Sequence, residues 1–209
     1  MSLFITFEGI EGSGKSTHLR QLATHLRSVG RPVLETREPG GTPAGATIRR
    51  LLLGEDAVPL TPMAELFLYC ADRTQHVAQV IRPALAGGRI VLCDRFSDST
   101  IVYQGFGRGL DLGAIRALDE RARAGLAPAL TFLFDCPVVE GLRRVRERRG
   151  SGDRFERESE EFHERIRAGF QALAAAEPER FRVLDTTQPV EQVRQRVIAE
   201  ATVRLEGEP

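Results

Sequence analysis

Short apolar runs closed by a polar or glycine turn alternate along this chain with longer amphipathic stretches, the pattern of β-α units wound around a parallel sheet. Five runs read as strands: Leu3 to Phe7, Pro32 to Glu35, Arg89 to Cys93, Leu130 to Phe134, and Phe181 to Leu184. Phe162, Ile166, Phe170 and Leu173 recur every three or four residues, so they share one helix face and belong to the core. Further helices are predicted from Lys15 to about Val29, Pro62 to about Leu85, Asp111 to about Ala124, Val138 to about Arg149, and Val190 to about Leu205. The expected fold is α/β, a doubly wound, five-stranded parallel sheet flanked by helices on both faces. Such sheets place ligands at the carboxyl ends of their strands, where Gly9, Arg37, Asp94, Asp135 and Asp185 fall.

At 209 residues the chain fits one domain, 1–209, with no linker. Basic and acidic residues balance at 29 each, which excludes a global positive field for nucleic acid. Cys70, Cys93 and Cys136 are widely spaced and form no C-x-x-C, so they read as small core residues of a protein in a reducing compartment. The four histidines make no metal-binding spacing, which leaves Mg²⁺ held by oxygen as the expected ion. No apolar run approaches the roughly 20 residues of a membrane span, and no basic leader precedes the first strand. A cytoplasmic protein is expected.

The densest chemical signal is Gly9-Ile10-Glu11-Gly12-Ser13-Gly14-Lys15-Ser16-Thr17, a full match to the phosphate-binding pattern G-x-x-x-x-G-K-[ST], with a strand before it and a helix after. Its glycines let backbone N–H groups turn toward phosphate oxygens, Lys15 reaches the β- and γ-phosphates, and the Ser16 hydroxyl suits Mg²⁺. Lys15 is the one lysine among 29 basic residues, the rest being arginine. A compact, flexible ammonium is therefore kept where a planar guanidinium would not serve. A nucleoside triphosphate is the expected ligand.

Arg89-Ile90-Val91-Leu92-Cys93-Asp94-Arg95 is an apolar strand ending in an acid, which would place Asp94 beside the triphosphate magnesium and leave Arg95 to grip a second phosphate. Asp94 could instead cap the next helix. Transfer onto a phosphate needs little base catalysis, since a monoester is mostly ionised near pH 7 with a second pKa of about 6. It needs charge neutralisation, and Arg37, Arg73, Arg95 and a late cluster from Arg143 to Arg154 can supply it. That cluster breaks into Gly150-Ser151-Gly152, so residues from about 146 to 156 read as a flexible lid delivering cations to the transferred phosphoryl group. Half of its arginines read as ordinary solvated helix surface. The polar run from Asp94 to Gly105 can read a base and a sugar.

With these segments in order, the chain resembles bacterial thymidylate kinases, P-loop enzymes that move the γ-phosphate of ATP to dTMP. The resemblance rests on Phe7-Glu8-Gly9 before the loop, Thr36-Arg37-Glu38-Pro39-Gly40-Gly41, Ala71-Asp72-Arg73, Asp94-Arg95-Phe96, Ser99 with Tyr103-Gln104-Gly105, and Asp153-Arg154-Phe155-Glu156. It implies that Glu11 approaches the deoxyribose 3′-hydroxyl and that Arg37 and Arg95 hold the dTMP phosphate. It also implies that Arg73 and Thr100 meet the thymine edge, and that Tyr103, with Gln104 and Ser99, walls off the space of a ribose 2′-hydroxyl. Tyr69 stands where the family usually stacks a phenylalanine on the base, while Phe67 reads as core. Ser13 marks the class whose catalytic arginine comes from the lid, here Arg154 or Arg149. Thr187-Gln188-Pro189 would line the adenine site. The resemblance further implies a homodimer.

Two other readings stay open. One is a different nucleoside monophosphate kinase, and the other an ATP-binding regulator without turnover. A GTPase switch would need an N-K-x-D motif, and the chain contains no asparagine.

Overall fold

Every predicted strand forms, and each runs one or two residues further at its polar end than apolarity alone suggests: β1 Phe4–Glu8, β2 Val33–Arg37, β3 Ile90–Asp94, β4 Leu130–Asp135 and β5 Phe181–Asp185. The extension comes from backbone pairing. Asp94 faces both Phe7 and Arg37 in register, and Asp135 faces Asp185, so the ladder continues through residues whose side chains are charged. The computed structural model describes residues 2–54, 59–147, 155 and 158–207. Within them the sheet is wholly parallel, in the order β2-β3-β1-β4-β5.

Nine α-helical segments surround the sheet among the described residues: α1 Lys15–Ser28, α2 Pro43–Leu53, α3 Pro62–His76, α4 Arg82–Ala86, α5 Ser97–Thr100, α6 Leu112–Arg123, α7 Val138–Glu147, α8 Glu160–Ala176 and α9 Val190–Glu206. The predicted helix from Pro62 to Leu85 is α3 and α4 joined through a wide π turn, Val77–Ile81. Pro83 lies just beyond that turn and has no N–H to give the ladder. A second π-helical stretch, Ile101–Gly107, continues α5.

Alternation along the strands divides the core. Ile5, Phe7, Ile90, Leu92, Phe132 and Phe134 pack against α1 and α9 on one face, burying Leu19, Leu22, Val193 and Val197. Phe4, Val91 and Cys93 point the other way, against Val77, Ile81 and Ala84. On that second face the predicted stripe of α8 is buried around Phe155 and Tyr103. Cys93 and Cys136 are buried as expected, whereas Cys70 is only partly covered.

Two helices carry a weak apolar signal. α2 buries only Gly45 and Leu52, and its start is set by the Thr42 hydroxyl, which accepts from the Gly45 N–H at 2.9 Å, with Pro43 in the first turn. The segment from Ser97 to Gly107 buries Ser97, Asp98, Thr100 and Gln104 beside Val102 and Tyr103, and a hydrophobic pattern cannot register the polar members. The same inversion corrects the reading of Phe67. It is 55% exposed, because α3 turns Glu65, Asp72, Arg73 and His76 inward to form the wall of a polar site.

Candidate active site

The carboxyl ends of β1, β2 and β3 open into a cleft of about 1000 Å³, its mouth included. Lys15, Arg37, Arg49, Arg73 and Arg95 line it, against the carboxylates of Glu11, Glu38 and Asp94. Cations outnumber anions in the lining, so the cleft suits a polyanion.

The phosphate-binding loop bends from β1 into α1 through glycines at positive φ. A Cβ on Gly9 (φ 138°) would stand 2.5 Å from the Phe134 carbonyl oxygen, and one on Gly12 (φ 73°) 2.1 Å from that of Gly141, so no side chain fits at either place. Lys15 is buried and spends its three donors on the loop itself, reaching the carbonyl oxygens of Gly9 (3.0 Å) and Ile10 (2.7 Å) and the Ser13 hydroxyl (3.3 Å). Burial, reinforced by repulsion from Arg95, pushes its pKa down to about 8 against the pull of Asp94, Glu11 and Glu8. The Ser16 hydroxyl donates to the Asp94 carboxylate, which unites the end of the loop with the end of β3.

Asp94 and Arg95 are neighbours in sequence but form no ion pair with each other; Arg95 pairs instead with Glu11. Arg95 takes a left-handed backbone (φ 68°) that directs its side chain away from Asp94. The turn is held by the Phe7 carbonyl, which accepts the Arg95 N–H at 3.0 Å. Glu8 secures it further, accepting from the Phe96 N–H at 2.8 Å and the Ser99 hydroxyl at 2.6 Å. Burial, with repulsion from Asp98, raises the Glu8 pKa to about 8, although Arg95, Ser99 and the Phe96 N–H oppose the shift. The Arg95 guanidinium then reaches the Gly9 carbonyl at 3.0 Å and Glu11 at 2.8 Å, and lies over the Tyr103 ring, 5.0 Å from its centroid.

Glu11 is the junction of the loop with the rest of the cleft. One of its oxygens accepts from Arg95 and from the Tyr103 hydroxyl at 2.6 Å. Burial alone would raise its pKa, but Arg95, His163, Lys15 and Tyr103 together hold it well below the usual carboxylate range.

Arg73 forms the floor. It is 1% exposed, and its guanidinium donates to Glu38 (2.9 Å), Asp119 (2.7 Å) and the Thr100 hydroxyl (3.0 Å) over the Phe96 ring. His76 bridges Glu38 (2.9 Å) to Thr36 (2.6 Å). Such a buried network fixes the orientation of every member. Tyr69, one helical turn before Arg73, lines the cleft with Ser99, Thr100, Tyr103 and Gln104.

The sequence-predicted residues thus divide. Glu11, Gly12, Lys15, Ser16, Arg37, Tyr69, Arg73, Asp94, Arg95, Ser99, Thr100, Tyr103 and Gln104 meet around one cleft. Gly9, Ile10, Ser13, Gly14 and Thr17 shape the loop beside it. Gln188 lies apart, donating to Asp185 at 3.0 Å on an exposed turn. Asp135 also stands apart, bound by Arg167 at 2.7 Å. Arg143 and Arg144 pair with Glu140 on α7, as the ordinary surface reading expects. Arg149, Arg154 and most of the expected lid lie outside the described residues.

Sequence reasoning missed Glu38 and Asp119 as partners of Arg73, and Arg49 and Phe155 as cleft residues. The one available signal for the first two was electrostatic, because a guanidinium held inside a fold requires carboxylates.

The family model described as thymidylate kinase matches residues 7–197. The chain is 52% identical over 197 residues to a thymidylate kinase of Desulfovibrio desulfuricans, covering 91% of both chains. It is 48% identical over 210 residues to one of Geotalea uraniireducens, covering 98% of this chain and 99% of that one. A crystal structure of thymidylate kinase from Ehrlichia chaffeensis superposes with a TM-score of 0.78 at 36% identity, covering 96% of this chain and 98% of that one. Shared sequence along nearly the whole chain and a shared fold around a phosphate-binding cleft agree: the protein belongs to the thymidylate kinase family.

Proposed function

We propose that the cleft transfers the γ-phosphate of ATP to dTMP, giving dTDP and ADP, with Lys15, Asp94, Arg95 and a lid arginine, Arg154 or Arg149, as the catalytic groups. The reaction is that of the family to which the chain belongs. The observation that supports the assignment of residues is the continuous path of polar contacts from the phosphate-binding loop through Glu11 and Arg95 to Tyr103, which fits a donor site and an acceptor site lying side by side.

The loop, residues 9 to 17, cradles the triphosphate, and Lys15 exchanges its carbonyl partners for phosphate oxygens. Ser16 and Asp94 are adjacent oxygen donors in the cleft, a set that suits Mg²⁺; when bound, the ion neutralises phosphate charge. Arg37 and Arg95 hold the acceptor phosphate. One of its oxygens forms the new bond to the γ-phosphorus as the bond to the ADP oxygen breaks, and no proton need move because the acceptor is already ionised, its second pKa being about 6. Arg73 and Thr100 read the thymine edge and Tyr69 covers its face, while the Tyr69 hydroxyl makes this pocket more polar than one with phenylalanine. Tyr103, Gln104 and Ser99 enclose the sugar, and Glu11 faces its 3′-hydroxyl.

The chain acts as one domain with residues from about 146 to 156 as its lid, and Gln188 at the adenine side. Among the described residues no helix is long and apolar enough to cross a membrane. Together with free, mostly buried cysteines this supports a cytoplasmic enzyme. Leu51 on α2 and Met63 and Phe67 on α3 expose apolar surface on adjoining helices, which supports pairing of two copies. Assays of dTMP, dUMP, UMP, AMP and GMP with Mg·ATP test the acceptor: turnover should be greatest with dTMP, and rapid turnover of AMP or GMP with none of dTMP would overturn the reading.

A further inference from the structure

Glu11 has two carboxylate oxygens in different circumstances. Oε1 is doubly engaged by Arg95 and Tyr103, whereas Oε2 is buried and has no hydrogen-bond partner among the described residues. The group that faces it is Nδ1 of His163, 3.4 Å away. His163 is fully buried, and neither of its ring nitrogens has a hydrogen-bond partner among the described residues. An unsatisfied donor and an unsatisfied acceptor that face each other inside a fold call for an explanation, since each carries a desolvation cost.

His163 belongs to the first turn of α8, the helix that follows the proposed lid. The same region touches the cleft at a second place. Phe155 lines it, meets the Tyr103 ring edge-on at 5.1 Å, and stacks at 6.1 Å on Phe162, the neighbour of His163. The start of α8 is therefore joined to the acceptor pocket through both residues that Glu11 and Tyr103 present to it.

We propose that His163 is a positioning residue: its Nδ1–H donates to Glu11 Oε2, fixing the carboxylate that faces the acceptor sugar and tying the start of α8 to the acceptor pocket. This rests on the reading of Glu11 as sugar-facing. A slight turn of the imidazole brings the 3.4 Å approach into hydrogen-bond range. A core histidine with no such role would be replaceable by an apolar side chain without functional cost, because that exchange removes two unsatisfied nitrogens.

The test uses steady-state kinetics and thermal melting of the full-length enzyme carrying His163→Leu, His163→Asn, Glu11→Gln, and the double change His163→Leu with Glu11→Gln. In His163→Leu the KM for dTMP should rise about tenfold, as expected for one lost contact in a coupled network, while the KM for ATP and the Tm hold. His163→Asn, whose amide N–H can stand near the Nδ1 position, should recover most of that loss. In the Glu11→Gln background the leucine change should add little. If Glu11→Gln raises the KM for dTMP and His163→Leu does not, the proposal is overturned while the reading of Glu11 stands. If Glu11→Gln leaves that KM unchanged, the reading of Glu11 falls and takes the proposal with it. A parallel fall in Tm and rise in both KM values, without recovery in His163→Asn, would make His163 a packing residue and also overturn the proposal.

Discussion

The two halves of the sheet end in similar residues and make different things of them. Asp94, Asp135 and Asp185 each close a parallel strand. Asp94 meets the Ser16 hydroxyl in the cleft. Asp135 is taken by Arg167 and Gln171 of α8, and Asp185 caps its own turn through Thr187 and Gln188. An acid at a strand end acquires a function only where a neighbouring loop leaves room for a ligand beside it. On the β4-β5 side the carboxylates themselves are taken up by side chains of the same chain. On the β1-β3 side the phosphate-binding loop holds its backbone back, and a buried polar network lines the opening.

This contrast can be tested by substitutions on each side. Lys15→Ala should lower kcat by about 1000-fold or more, since no other lysine exists to replace it; steady-state turnover of dTMP with retained circular dichroism checks this. Arg154→Ala should reduce kcat by about 100-fold or more with little change in the KM for dTMP, because a lid cation acts mainly in the transition state. Equal loss of affinity with unchanged turnover would remove it from that role. Arg73→Met leaves Glu38 and Asp119 buried without their shared counter-charge and should cost about 3–5 kcal/mol of stability, measured by urea denaturation.

The pH dependence sharpens the same side. Burial holds the Lys15 pKa near 8, and the charged form is the one that binds polyphosphate. kcat/KM for ATP, which reports the free enzyme, should therefore fall as pH rises above about 8. The linked stability effect has the opposite sign. Because the folded pKa lies below the ordinary 10.5, the native state binds fewer protons between those values, so this group adds stability as pH rises through the window and loses it as pH falls back toward 8. Flat kcat/KM from pH 7 to 9.5 would contradict the assignment. The smallest effect belongs to the other half of the sheet: Asp185→Asn should leave kcat within about twofold, since it disturbs an exposed turn at the adenine side and no group beside the transferred phosphate.

Much of this arrangement was legible in the chain. Strand positions followed from apolar runs, and the loop from a motif whose glycines and lysine have geometric reasons. The cleft residues from Arg37 to Gln104 came from the family resemblance. What escaped notice shares one cause. The burial of Asp72 and His76 on α3, the helical form of the stretch from Ser97 to Gly107, and the partners Glu38 and Asp119 all involve buried polar groups, and a reading that equates burial with apolarity sends them outward. Phe67 was misplaced for the complementary reason, being an aromatic on the outward face of the same helix.

The sheet, the phosphate-binding loop and the family can be read from the chain alone, because these depend on local periodicity and on residues contiguous in the chain. Tertiary structure decided which strand-end acid meets the loop, that Arg95 turns from Asp94 toward Glu11, and that His163 faces Glu11 from 152 positions away in sequence. Those choices arise from register between strands and from the balance of charge in a desolvated space, neither of which any single segment encodes.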